Sequence, residues 1–206
     1  MPKRPVPPLD WPPAGELIDI VDGDCKTSLF VPKGYELPPG GRVNLTVHFH
    51  TTEQYIIGEH LRRGLKEPLL VVNLGQGSST YAKPFLDIDR FGRLLDKAAA
   101  ELSTGVKQAR VVQVDITSFS AGYGAVRELL KQDKYIDLIR RVILADSLYA
   151  SWEAGTSASD PDRQPALENM QPFSKFLKLA AAGKKTFVLT HSQVPTDYAN
   201  TAATAG

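Results

Sequence analysis

A serine hydroxyl is a weak nucleophile at neutral pH. It needs a base within hydrogen-bond reach, a group that orients the base, and donors for the negative charge that develops on a substrate carbonyl. One serine of this 206-residue chain stands where those demands can be met. Ser120 lies in Ser118-Phe119-Ser120-Ala121-Gly122, after the β-branched run Val111, Val112, Val114, Ile116 and before Ala125, Val126, Leu129 and Leu130, which share one helical face. The pattern predicts a buried strand, a tight turn and a helix. A serine two residues before a glycine on such a turn is the core of the G-x-S-x-G elbow, in which small neighbours lift the hydroxyl above the sheet. Ser118 replaces the first glycine; it is also small, and its expected role is structural. The helix start places free N–H groups, that of Ala121 first, where an oxyanion would form.

Candidate partners sit at later strand ends. Asp146 closes the apolar run Val142 to Ala145, and His191, the only histidine after Ser120, closes Thr186 to Thr190. The order Ser120, Asp146, His191 is one in which a nucleophile, an orienting acid and a base recur. Ordinary roles compete: Asp146 as a turn cap, His191 as a hydrogen-bonded loop residue, and Asp197 as a second candidate for the acid. His48 and His50 share one strand face about 6.6 Å apart. Two histidines without a third ligand or an E-x-x-H spacing are a weak metal signal, and no metal is expected. Gly75-Gln76-Gly77 lacks the third glycine and the following acid of a dinucleotide loop, and reads as a loop at a pocket mouth. Expected substrate contacts are His50, Gln76, Tyr123 and Trp152.

The elements that must position these residues alternate. Leu17 to Val21 and Leu29 to Val31 flank the turn Asp22-Gly23-Asp24 and predict a hairpin at a sheet edge. Val43, Leu45, Val47 and Phe49 alternate with polar residues as a strand does. Thr52 caps a helix running to about Leu65, on which His60 is expected to be solvated. Leu69 to Leu74 is apolar throughout, as a strand covered on both faces should be. Ile88, Phe91, Leu95, Ala98 and Leu102 mark the clearest helix. After the elbow come a short helix near Tyr135, the Val142 strand, a helix at about Phe173 to Ala182 and the Thr186 strand. Tyr149 to Asn169 is rich in Ser, Asp, Pro and Gly, and a loop of that length usually binds something or moves; it is read as lid-like, with Trp152 its best contact. Thr196 to Gly206 looks like the start of another helix. Residues 1–14 form a Pro-rich arm, and 15–206 a single domain.

On these residues the chain resembles the α/β-hydrolase superfamily, on its esterase and lipase-like side. Beside the elbow, SLFVPKGYELPPGGRVNLTVHFHT (28–51) is similar to the superfamily's early strands, and RRVILADS (140–147) to the parallel strand that ends in an acid. The resemblance covers roughly Leu17 to the end of the chain. It implies an α/β fold, a mostly parallel sheet with helices on both faces, lacking the last strand and helix. It implies cleavage of a small-molecule carboxylic ester, less readily an amide, through an acyl-enzyme and without a cofactor. His50-Thr51 matches the superfamily's His-Gly, so the N–H of Thr51 would join that of Ala121 in the oxyanion hole, with Thr51 departing from the glycine. The superfamily's histidine normally follows one further strand, which leaves two bases open: His191, or one beyond Gly206. A noncatalytic binding protein on the same fold is the alternative.

Composition narrows the rest. With 42% hydrophobic residues the chain can bury one substantial core. Twenty-four basic against 23 acidic residues give a formal charge of +1, without the basic excess that nucleic acid requires. The lone Cys25 can form no internal disulfide and has no basic cluster to activate it. No apolar run reaches a membrane span and no targeting segment is apparent in the chain as given, so a soluble protein of open compartment and oligomeric state is expected.

Overall fold

In the computed structural model, which describes residues 12–155, 160, 162–192, 194 and 196–205, the hairpin is the first element of the chain. Strands β1 (Gly15–Asp22) and β2 (Cys25–Pro32) pair antiparallel from Gly15↔Pro32 down to Asp22↔Cys25. Gly23 sits at φ 63° in the tight turn between them, a conformation that costs glycine little. The chain then alternates: β3 (Arg42–Phe49), α1 (Glu53–Arg62), β4 (Leu69–Val72), α2 (Ser78–Ala82), α3 (Arg90–Leu102), β5 (Arg110–Phe119), α4 (Tyr123–Leu129), α5 (Asp133–Leu138), β6 (Ile139–Ala145), α6 (Leu167–Ala181), β7 (Thr186–Thr190) and α7 (Thr201–Ala205). One seven-stranded sheet results, in the order β1-β2-β4-β3-β5-β6-β7, with β3 to β7 mutually parallel and β2 antiparallel to both β4 and β1.

The uninterrupted apolar run of β4 has its explanation in the pleat, which sends alternate side chains to opposite faces. Leu69 and Val71 join Phe30 and Ile57 in a small cluster under α1, whereas Leu70 and Val72 enter the main core with Phe49, Phe91, Leu94 and Ile116. Phe173 and Phe176 of α6 and Val126 of α4 belong to the same main core. Both faces are therefore covered, and the parallel strands' carboxyl ends form one rim.

Several expectations are revised. Thr52 does precede α1, but its side chain makes no capping hydrogen bond. His60 is not solvated: it is 3% exposed, and its Nε2 is 2.8 Å from the carbonyl oxygen of Glu67. Ile88 lies before α3 and is exposed, and α6 begins six residues ahead of Phe173, with Pro172 inside it. Ser78 and Ser79 open a short helix whose Tyr81 is fully buried. The part of the Pro-rich arm at 1–11, and 156–159 and 161 of the lid-like loop, lie outside the described residues. The rest of that loop is tied down, with Trp152 bridged to Pro165 and Ala150 to Ala199.

Candidate active site

Three residues other than glycine have a left-handed backbone among the described residues: His50 (φ 64°), Ser120 (φ 44°) and Asp146 (φ 46°). Each immediately follows the last residue of a strand, β3, β5 and β6 in turn, and these strands are neighbours. A side chain in this conformation costs about 1–2 kcal/mol, so three of them on one rim mark a place where the surrounding packing dictates the backbone.

The packing responsible at Ser120 is visible. Ser147, fully buried, donates from Oγ to the Ser120 carbonyl oxygen (2.8 Å). Its single proton being so used, the 2.6 Å contact between Ser118 Oγ and Ser147 Oγ has Ser118 as donor. Ser118 thus replaces the expected glycine with a function of its own: through Ser147 it ties the elbow to the loop after β6. Gly122 has to be glycine, since a Cβ there would lie 2.5 Å from the Phe49 carbonyl oxygen and 2.6 Å from Ser118 Oγ.

Register aligns the candidates. Phe119 is opposite Ala145, and Ala145 opposite Thr190, so Ser120, Asp146 and His191 are successive rim positions on adjacent strands. At a strand spacing of about 4.8 Å, Ser120 and His191 stand roughly 10 Å apart along the backbone, with Asp146 between them. Ser192, which sequence reasoning missed, connects the last two: its hydroxyl donates to Asp146 Oδ2, and its carbonyl oxygen lies 3.3 Å from His191 Nδ1. A carbonyl only accepts, so Nδ1 carries the proton and the lone pair of this exposed imidazole is on Nε2. Among the described residues no hydrogen bond joins His191 to Ser120 or to Asp146. Asp197, the second candidate acid, is exposed, and its carbonyl oxygen accepts from Trp152 Nε1 (3.0 Å), while Arg163 lies 4.0 Å over the Trp152 ring.

On the other side of the elbow, the Thr51 hydroxyl donates to the His50 carbonyl, so His48 Nε2 donates to Thr51 Oγ1 (2.8 Å) and His48 Nδ1 accepts from Thr117 Oγ1 (2.7 Å). Burial, with His50 nearby, pushes the His48 imidazole down to about 4. It is neutral and has no lone pair left for a metal ion. His50 Nδ1 faces the Gly75 carbonyl (3.1 Å) and the Tyr81 hydroxyl (2.9 Å), and burial lowers its pKa as well. Thr51 has no backbone hydrogen bond from its N–H among the described residues, and Ala121, in the first turn after β5, has no intrahelical acceptor for its own. Gln76 is exposed beside this loop.

A buried tyrosine completes the surroundings. Tyr149 follows Ser147 by two residues, and its phenol interacts with the hydroxyls of Thr201 and Ser120. Burial and the Asp146 charge push it up to about 12, so it stays a neutral donor. Tyr123, at the start of α4, packs edge-on against it. A surface groove of about 310 Å³ lined by Lys33, Tyr35, Arg42 and Lys66 lies at the opposite end of the parallel strands, away from this rim.

No protein-family model and no curated protein matches the chain. Solved structures do. The protein solved as DphMB1 superposes with a TM-score of 0.52 at 13% identity, over 87% of this chain and 75% of its own. A point variant of the esterase rPPE gives a TM-score of 0.52 at 12% identity, over 87% of this chain and 65% of that one, so this chain spans just under two thirds of that esterase. At such identities the likeness is one of fold. Together with the strand order, the antiparallel hairpin at one edge and the sharp strand-to-helix turn at Ser120, it establishes that the chain has the α/β-hydrolase fold.

Proposed function

We propose that the protein is a serine hydrolase that cleaves a small carboxylic ester, and less readily an amide, through an acyl-enzyme. Ser120 Oγ attacks the carbonyl carbon. His191 Nε2 takes the serine proton and returns it to the leaving alcohol, and Asp146, acting with Ser192, holds the loop that carries the imidazole. The N–H groups of Ala121 and Thr51 receive the oxyanion, each donor worth on the order of 3 kcal/mol in the transition state. His50, Gln76, Tyr123 and Trp152 border the substrate. The observation that carries this reading is the left-handed Ser120 at a strand end, held there by Ser147 and set in register with Asp146 and His191.

Replacing Ser120 with alanine is expected to abolish labelling by a fluorophosphonate probe and hydrolysis of short nitrophenyl esters. His191→Ala is expected to slow both by about 10²- to 10⁴-fold, the usual contribution of a positioned base. Labelling retained in Ser120→Ala rejects the nucleophile, and an unchanged rate in His191→Ala moves the base elsewhere. A second reading, a noncatalytic binding protein on this fold, is favoured by one contact: the hydroxyl next to Ser120 belongs to a tyrosine, and no imidazole is hydrogen-bonded to the serine among the described residues. It predicts a wild-type chain that the probe does not label.

A further inference from the structure

Tyr149 does not stand alone beside Ser120. Its ring meets Tyr123 edge-on at 5.4 Å between centroids and Tyr198 at 5.2 Å, the planes inclined by 65° and 89°. Tyr149 is buried, Tyr123 half-buried, and Tyr198 is 49% exposed, so the row runs from the elbow outward to solvent.

The row is held at both ends. Ser147 ties the Tyr149 loop to the Ser120 carbonyl. On the far side the Leu148 N–H donates to Thr201 Oγ1 (3.2 Å), Thr204 Oγ1 donates to the Leu148 carbonyl (2.8 Å), and Ala150 and Ala199 exchange backbone bonds of 3.0 and 3.1 Å. These bonds fix Tyr198 against Tyr149 before any ligand arrives, which lowers the ordering cost of binding. Toward β3 the neighbouring surface is aromatic too: the exposed Phe119 ring lies 6.1 Å from that of His50, within 6° of parallel.

Fixed tyrosine rings offer a planar group both edge and face contacts, and hydroxyls at the ring tips for its polar substituents. An alkyl chain uses neither. We propose that the ester this site accepts carries an aromatic ring, and that Tyr123, Tyr149 and Tyr198 form the wall that holds it. Turnover of such an ester rests on the reading of Ser120 as nucleophile; recognition of the ring does not, and the two are separable.

The experiment compares methyl cinnamate with methyl hexanoate. Wild-type protein is expected to prefer the cinnamate by about tenfold or more in kcat/KM. Tyr198→Ala should cut that preference by about 2- to 10-fold, the range of one aromatic pair, and Tyr198→Phe should restore it. In parallel, the Ser120→Ala protein is titrated with each ester and followed through its tyrosine ring resonances. Tighter binding of the cinnamate in Ser120→Ala, with no hydrolysis of either ester by wild type, keeps the aromatic wall and discards the hydrolase. Hydrolysis without preference, or a preference that Tyr198→Ala leaves intact, overturns the wall and leaves the nucleophile standing.

Discussion

At Ser147 one hydroxyl proton decides how two strand ends are joined. It goes to the Ser120 carbonyl, which obliges Ser118 to donate in turn, and both serines are buried. Alanine at 147 therefore removes more than one bond: the Ser120 carbonyl and the Ser118 hydroxyl lose their partner together in a site with little access to water. Leaving buried polar groups unsatisfied costs about 1–3 kcal/mol, so urea denaturation of Ser147→Ala should show a loss in that range. If Ser120 is the nucleophile, kcat should fall more than KM rises, because the elbow is aimed by this bond and the ester is not. A variant as stable as wild type would mean that the elbow holds its left-handed turn without Ser147. The serine-glycine spacing of the elbow and the strand-end acid and histidine were legible as residue types. The bonds made by Ser147 and Ser192 were not, because they join positions 27 and 46 residues apart. Histidine and aspartate adopt a left-handed φ more readily than most residues, but their type alone does not single out His50 and Asp146 from the chain's other histidines and aspartates.

Among the elements, those with strong periodicity were read correctly and those defined by tertiary contact were not. The hairpin, β3, β4, β5 and α3 carry their burial in their own spacing. α2 does not: Ser78 and Ser79 after two glycines look like loop, and they form a helix because Tyr81 is drawn into the core and held at Asn73, Leu74 and Gly75. His60 looked solvated among charged neighbours until the Glu67 carbonyl supplied a partner. The helix expected from about Phe173 begins at Leu167, and Pro172 is accommodated in the second turn of α6. The attachment of the hairpin to α3 was equally hidden. Asp22, 7% exposed at the end of β1, accepts from Arg93 Nη2 (2.8 Å) and Lys97 Nζ (3.0 Å), while Arg90 holds Asp24 (2.6 Å). The Arg93 hydrogen bond, opposed by burial and joined by the Lys97 one, lowers the Asp22 carboxyl to about 2. A carboxyl whose folded pKa is depressed stabilises fully above its unfolded value, here 3.8, and that contribution is lost as pH falls through about 2. Asp22→Asn should thus lower Tm by several degrees at pH 7, the gap to wild type should persist to about pH 4, and it should close toward pH 2. A gap that closes between pH 7 and pH 5 would assign the effect to another group.

At the scale of the molecule the sheet is unequally supported, and the site straddles the difference. β3 and β5 lie in the middle with partners on both sides, and β3 is buried along nearly its whole length. β7 has one neighbour among the described strands, five register pairs with β6, and a pattern in which no residue is fully buried. β1, at the opposite edge, has eight pairs and the Asp22 clasp. Local opening follows such differences in burial and pairing. Hydrogen exchange followed by mass spectrometry should therefore show β7 amides exchanging first, β1 next, and β3 and β5 only with global unfolding. The consequence reaches the site, because Ser120 is carried by β5 and His191 by β7. Release of β7 separates the proposed base from the nucleophile while Ser147, on the loop after β6, still holds the elbow. In mild urea, the proposed ester hydrolysis should accordingly decline below the midpoint of the global transition, in step with exchange in β7. Protection of β7 equal to that of β5, or activity lost only at the global midpoint, would make the rim one cooperative unit and remove the distinction.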